Sequence, residues 1–224
     1  MLEVFRFHYS EQAKVILPWS GGLHSTFLLN LVLHFRSQLH NPFPLEVVHI
    51  NLEHFLQANL LQDYRLWLTA YKHIISNVLE LPKPSSNQSS PLQQTVLNCL
   101  LDHSNTNTNH AVLALSFTPL SSSVYTALSL MSGSPRSATI FPVQRKQISP
   151  NTTIVNPLAV FEQSEVEFLL NNSSFKSPVL GFSDNLTIDR STALLVPFYK
   201  SLEERGGHYL KSSSKVMSNV TVET

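Results

Sequence analysis

An α/β fold with a central parallel sheet and helices on both of its faces is what this sequence predicts, and three observations predict it. The first is Lys14-Val15-Ile16-Leu17-Pro18-Trp19-Ser20-Gly21-Gly22, an apolar run of strand length ending in a Ser-Gly-Gly turn, with an apolar segment of helix length directly after it. The second is Leu45-Glu46-Val47-Val48-His49-Ile50, a further strand that completes a right-handed βαβ unit with the first. The third is that the pattern continues: an amphipathic helical stretch follows, and an apolar strand, residues 111–117, comes after it.

Residues 1–12 read as a lead-in, either an edge strand or a short helix, and residues 13–19 as the first strand. Over residues 24–39, Phe27, Leu28, Leu31, Val32, Phe35 and Leu39 recur at helical spacing, and their apolar neighbours widen the stripe to that of a largely buried helix. Asn41-Pro42-Phe43-Pro44 stops it, and the second strand runs from Leu45 to Asn51. The cleanest amphipathic stripe covers residues 55–79, where Leu60, Leu61, Tyr64, Trp67, Leu68, Tyr71, Ile74, Ile75 and Val78 repeat at three and four. One long helix is predicted there, with its aromatic residues in the core or a partner interface.

A polar connection at residues 82–91, rich in Pro and Ser, leads to a short helix at 92–103, and a turn-rich link at 104–109 leads to the third strand. A helix over 121–131 ends at Ser132-Gly133. Short strands are predicted at 138–141 and 153–155, then a helix at 163–170 with Glu162, Glu165 and Glu167 on its polar side, and a turn or short strand at 178–182. Residues 188–204 have helical spacing broken by Pro197, and from Gly206 the chain is rich in Ser and Lys and is expected to be poorly ordered at its end. The division is into a domain at 1–182 and a helical extension with a tail at 183–224.

The 224 residues are enough for one sizeable core, and 42% apolar residues fit a globular chain. Fifteen basic groups cancel fifteen acidic ones, so no overall field draws the chain to nucleic acid or anionic lipid. Any contact with RNA is local or supplied by a partner. Cys99 is the one cysteine, which excludes an internal disulfide, a Cys-rich zinc cluster and a persulfide relay through paired cysteines. Residues 1–14 carry Glu3, His8 and Glu11 in place of a signal-peptide core, and no apolar run is long enough to span a bilayer. An intracellular, cytoplasmic protein without a membrane partner is expected.

Two glycines let the Ser20 to Ser25 turn adopt positive φ and let an anion approach, while the first amides of the following helix point at it. A tight turn capped by Ser20 or Ser25, with no ligand, accounts for the same residues. The turn is neither a GxxxxGKS/T loop nor a GxGxxG fingerprint. It resembles the SGGxDS loop of the PP-loop ATP pyrophosphatase superfamily. Ser20, Gly21, Gly22 and Ser25 match, and His24 stands where the family carries Asp. A neutral imidazole does not replace that Asp as a ligand to magnesium, which takes oxygen.

The resemblance extends to about residue 170. The GHxxDDxxET block of the tRNA-modifying branch lies without a gap on the segment from Leu115 to Leu128, with Gly133 on its closing glycine. Ser116 and Phe117 replace Gly-His, Leu120 and Ser121 replace the paired Asp, and Val124 and Tyr125 replace Glu-Thr. Val155-Asn156-Pro157-Leu158, with Glu165-Val166 after it, resembles the RPL segment and its helix. The frame is kept where its chemistry is substituted, and the catalytic cysteines are missing. That combination resembles the degenerate lineage that supplies the second subunit of the eukaryotic cytoplasmic tRNA 2-thiolation complex. The chain is shorter than typical members and lacks the zinc-type cysteine pairs seen in many of them.

The resemblance implies a Rossmann-like PP-loop fold and a non-catalytic role. The chain would scaffold a catalytic PP-loop thiolase in a heterodimer and help it bind tRNA, so that the complex thiolates a wobble uridine with sulfur from a ubiquitin-like carrier. It would hold no cofactor or metal of its own, with the question of ATP and magnesium left to the crevice. Candidate tRNA contacts are Arg136, Arg145, Lys146, Lys200, Arg205, Lys211 and Lys215. Two other readings use the same residues. One is a divergent active tRNA-modifying enzyme, a thiolase or lysidine synthetase, that recruits Glu46, Glu53 or Asp63. The other is a nucleotide-binding interaction module.

Overall fold

A computed structural model describes residues 13–56, 58–81, 92–106, 110–133, 138, 140–141, 144–172, 190–206 and 210. Six strands form one sheet in the order β3-β2-β1-β4-β6-β5: β1 (Lys14–Pro18), β2 (Leu45–Asn51), β3 (Asn77–Glu80), β4 (Ala111–Ala114), β5 (Arg145–Ser149) and β6 (Thr152–Val155). All neighbours are parallel except β5, which is antiparallel to β6. The helices are α1 (Leu23–Ser37), α2 (Ala58–Tyr71), α3 (Leu92–Thr106), α4 (Pro119–Met131), α5 (Gln163–Asn171) and α6 (Arg190–Gly206). Crossovers between parallel strands run leftward through α1 and α2 and rightward through α3, α4 leads on to the antiparallel β5, and the helices flank both faces of the sheet. Further packing joins α5 to α1 and α6 to α4.

The core follows from the apolar runs. Ile16, Leu17, Val48, Leu113 and Ile154 in the four central strands are fully buried, with Leu28, Leu29 and Val32 of α1 against them. The connections leave β1 toward β2 but leave β4 toward β6, so the sheet has its topological switch point between β1 and β4. A ligand crevice opens at the carboxyl ends of such strands. At the opposite edge Glu46 is held at 2.7 Å by Lys14 and at 3.2 Å by His103. Burial works to raise the Glu46 pKa, but the Lys14 hydrogen bond and charge, with His103 behind them, overcome it and lower it.

Three expectations need correction, and one strand was unforeseen. The helix foreseen over 55–79 stops at Tyr71, and its last three residues belong to strand β3, whose Val78 and Leu79 pair with His49 and Ile50. Ile74, Ile75 and Val78 fit a helical spacing by coincidence, but the open edge of β2 offers their backbone a ladder, and Ser76 N–H joins it on Val47 C=O. No strand occupies 138–141 among the described residues: Ile140 and Phe141 lie in a turn and plug the core at 2% and 1% exposure. The strand beside β6 is instead β5, missed because an edge strand of Arg, Lys and Gln carries no apolar signal. Pro197 does not break α6, which runs through it. The predicted elements at 1–12 and 178–182, with the 82–91 connection, lie outside the described residues.

Candidate functional site

The turn after β1 is built as the sequence asks. Gly21 has φ 81°, the left-handed conformation that favours glycine. Gly22 caps α1 with no side-chain hydrogen bond, so neither Ser20 nor Ser25 acts as its N-cap. Those serines close a ring within the turn instead. Gly22 N–H donates to Ser20 Oγ at 3.3 Å, and the Ser25 hydroxyl donates to Gly22 C=O at 3.1 Å. With that proton committed, the 3.0 Å contact between the two hydroxyls runs from Ser20 to Ser25.

Behind the turn stands an aromatic wall. Trp19, fully buried, donates its indole N–H to Thr26 Oγ1 at 3.0 Å, which ties the end of β1 to the first turn of α1. Its ring packs on Trp67 and Tyr71 with centroids 4.8 and 5.9 Å apart. His49 is also fully buried, and its partners fix its tautomer. Nδ1–H donates to Trp19 C=O at 2.8 Å, so Nε2 accepts the Tyr64 hydroxyl at 2.7 Å, and Tyr64 accepts Leu52 N–H at 3.2 Å. Burial lowers the His49 pKa against the opposing pull of Trp19 C=O, and burial pushes Tyr64 up to about 12. His49 is therefore a neutral structural link among β1, β2 and α2.

The switch point holds a cavity of about 240 Å³ between the turn, the ends of β2 and β4, and the start of α4. Leu92, Val96 and Leu100 of α3 form one wall, and Phe117 and Tyr125 another, their rings edge to face with centroids 5.4 Å apart. Ser20, His24, Ser25, Gln93, Ser116 and Ser121 supply the polar groups. No Asp, Glu, Lys or Arg is among the described residues lining it. Thr118 caps α4 through Ser121 N–H, with Pro119 in the first turn. Buried Asn156 steers the approach to that helix by accepting Phe117 N–H on its side-chain oxygen at 3.0 Å.

The carboxylates weighed as recruits lie elsewhere. Glu46 is at the opposite edge of the sheet, Glu53 pairs with Arg65 at 2.8 Å, and Asp63 is exposed on α2. The Arg65 hydrogen bond keeps the Glu53 pKa low. Magnesium prefers carboxylate and water oxygens, and the lining residues offer hydroxyls, an amide and an imidazole. They do not fit that ion.

Of the predicted site residues, Ser20, Gly22, His24 and Ser25 meet at the cavity, and Gly21 is buried in the turn beneath them. Arg145 is exposed at the carboxyl edge of the sheet, opposite Val155, and half-buried Lys146 follows it in β5. Lys200 and Arg205 are exposed on α6, whereas Arg136, Lys211 and Lys215 lie outside the described residues. The α3 wall and Asn156 were missed. The Leu92, Val96, Leu100 spacing was a readable signal for the wall, but Asn156 reaches a partner 39 residues away and has none.

No family model and no curated protein matches the chain. Among solved structures it is similar to the U34-tRNA thiolase NcsA from Methanococcus maripaludis with its 4Fe-4S cluster, with a TM-score of 0.61 and 12% identity over 95% of this chain and 74% of that one. Iron–sulfur clusters hang on several Cys thiolates. Here Cys99 is the one cysteine, half-buried on α3, its thiol pKa raised by burial and by Asp102, and no metal-holding group of His, Cys, Asp and Glu occurs among the described residues. The residues do not fit such a cluster. What the likeness shows is fold: this chain folds as that thiolase does, with a mostly parallel six-stranded sheet flanked by helices.

Proposed function

We propose that this chain is a non-catalytic subunit of a tRNA wobble-uridine 2-thiolation complex in the cytoplasm, partnering a catalytic PP-loop thiolase and helping it hold tRNA. The observation that carries the reading is the crevice lining. The fold's loop, switch point and second helix are all present, yet the described lining residues include neither a carboxylate for magnesium nor a Lys or Arg for polyphosphate. His24 and Ser121 occupy two of the three positions where the superfamily has Asp, and the third is Leu120, 5% exposed and part of the packing. Adenylating a base requires stabilisation of the departing pyrophosphate, and these residues supply none of it. Sulfur would reach the complex from a ubiquitin-like carrier through the catalytic partner.

The exposed cation at the carboxyl edge, Arg145, is the described residue best suited to touch RNA, with Lys146 next to it. Two measurements test the reading. The purified chain, given ATP and unmodified tRNA, is expected to form no AMP, and it is expected to co-purify from its own cells with an active PP-loop thiolase. AMP formation that depends on tRNA and disappears in Gly22→Asp would assign the chemistry to this chain and overturn the proposal. Arg145→Ala with Lys146→Ala is expected to weaken tRNA binding by the complex two- to five-fold at about 0.1 M salt, read by filter binding.

A further inference from the structure

We infer that the crevice takes an uncharged nucleoside and discriminates against its phosphorylated forms. The walls are apolar and in part aromatic: Val96 and Leu100 on one side, Phe117 and Tyr125 on the other. A flat heterocycle packs against such walls through its faces and edges. The polar groups are the Ser20, Ser25, Ser116 and Ser121 hydroxyls with the Gln93 amide and the His24 imidazole, all able to donate and accept. They suit ring nitrogens and sugar hydroxyls. The cavity of about 240 Å³ falls just below the roughly 300 Å³ at which drug-sized ligand sites begin.

The same residues argue against phosphate. Gly22 N–H is spent on Ser20, Ser20 on Ser25, and Ser25 on Gly22 C=O, so a phosphate that recruits these three donors must break the ring, and otherwise it meets only the first backbone amides of α1. The dipole at the start of α1 supplies only about half a unit of positive charge, and the described lining residues add no ionic side chain to it. A triphosphate brings several negative charges into that apolar space, and their lost hydration goes uncompensated. A neutral ligand meets none of these costs. The inference stands whether or not the chain belongs to a thiolation complex.

Isothermal titration of the full chain with adenosine, guanosine, cytidine and uridine, each with and without magnesium, tests it. At least one nucleoside is expected to bind with a Kd that magnesium does not alter, and its triphosphate to bind at least tenfold more weakly. Val96→Trp fills the cavity from α3 and Ser116→Trp from the β4 end. Whichever variant keeps the wild-type circular dichroism is expected to lose the nucleoside at least tenfold. The inference is overturned if no nucleoside binds at millimolar concentration, if the triphosphate binds as tightly as its nucleoside, if binding depends on magnesium, or if a folded filled variant still binds.

Discussion

Trp19 carries two constraints at once: its ring is the centre of the aromatic wall and its indole N–H ends on Thr26. Thr26→Val keeps the shape and removes the acceptor, leaving a buried donor without a partner, and is expected to cost about 1–3 kcal/mol in urea unfolding. Gly21→Ala forces a side chain into φ 81° and is expected to cost about 1–2 kcal/mol by the same measurement. At this scale the sequence was legible where one residue type has one use. Ser-Gly-Gly announced a turn open to a helix start, and His24 and Ser121 stand at the crevice that this turn borders. The hydrogen-bond ring was not legible, because hydroxyls can cap a helix or bond one another and only coordinates choose between them.

Among the elements, α6 and β3 show opposite failures of pattern reading. Pro197 removes the amide that would bond the carbonyl of Ala193, yet the helix persists with α4 packed along it. Pro197→Ala restores that bond and is expected to raise stability by about 1–3 kcal/mol, read as a higher midpoint in thermal unfolding. In β3 a helical spacing was real but was overruled by the ladder that β2 offered. Local periodicity names an element well when one face decides its fate, as in α1 and β1, and poorly at a sheet edge. There the backbone's partner outweighs the side chains, and β5, which opens Arg-Lys-Gln and carries a single Ile, went unread for the same reason.

Over the whole molecule, His49 links three elements, and its burial makes the fold sensitive to acid. Its folded pKa lies below the ordinary 6.5, so below that pH the unfolded chain takes a proton that the folded chain refuses. The stability is complete above pH 6.5 and is lost as pH falls toward the folded value, at a slope of up to about 1.4 kcal/mol per pH unit. His49→Gln is expected to flatten the slope between pH 7.5 and 5.5 in denaturant titrations, and an unchanged slope would mean that the imidazole charges inside the fold. The parallel βαβ unit and the crevice at its carboxyl end followed from the apolar runs, while the strand order and the reversal of β5 needed coordinates. A turn that spends its donors on itself keeps its form with no guest inside. On the selectivity inferred above, millimolar ATP is expected to leave the melting temperature of the purified chain unchanged, in starvation as in plenty.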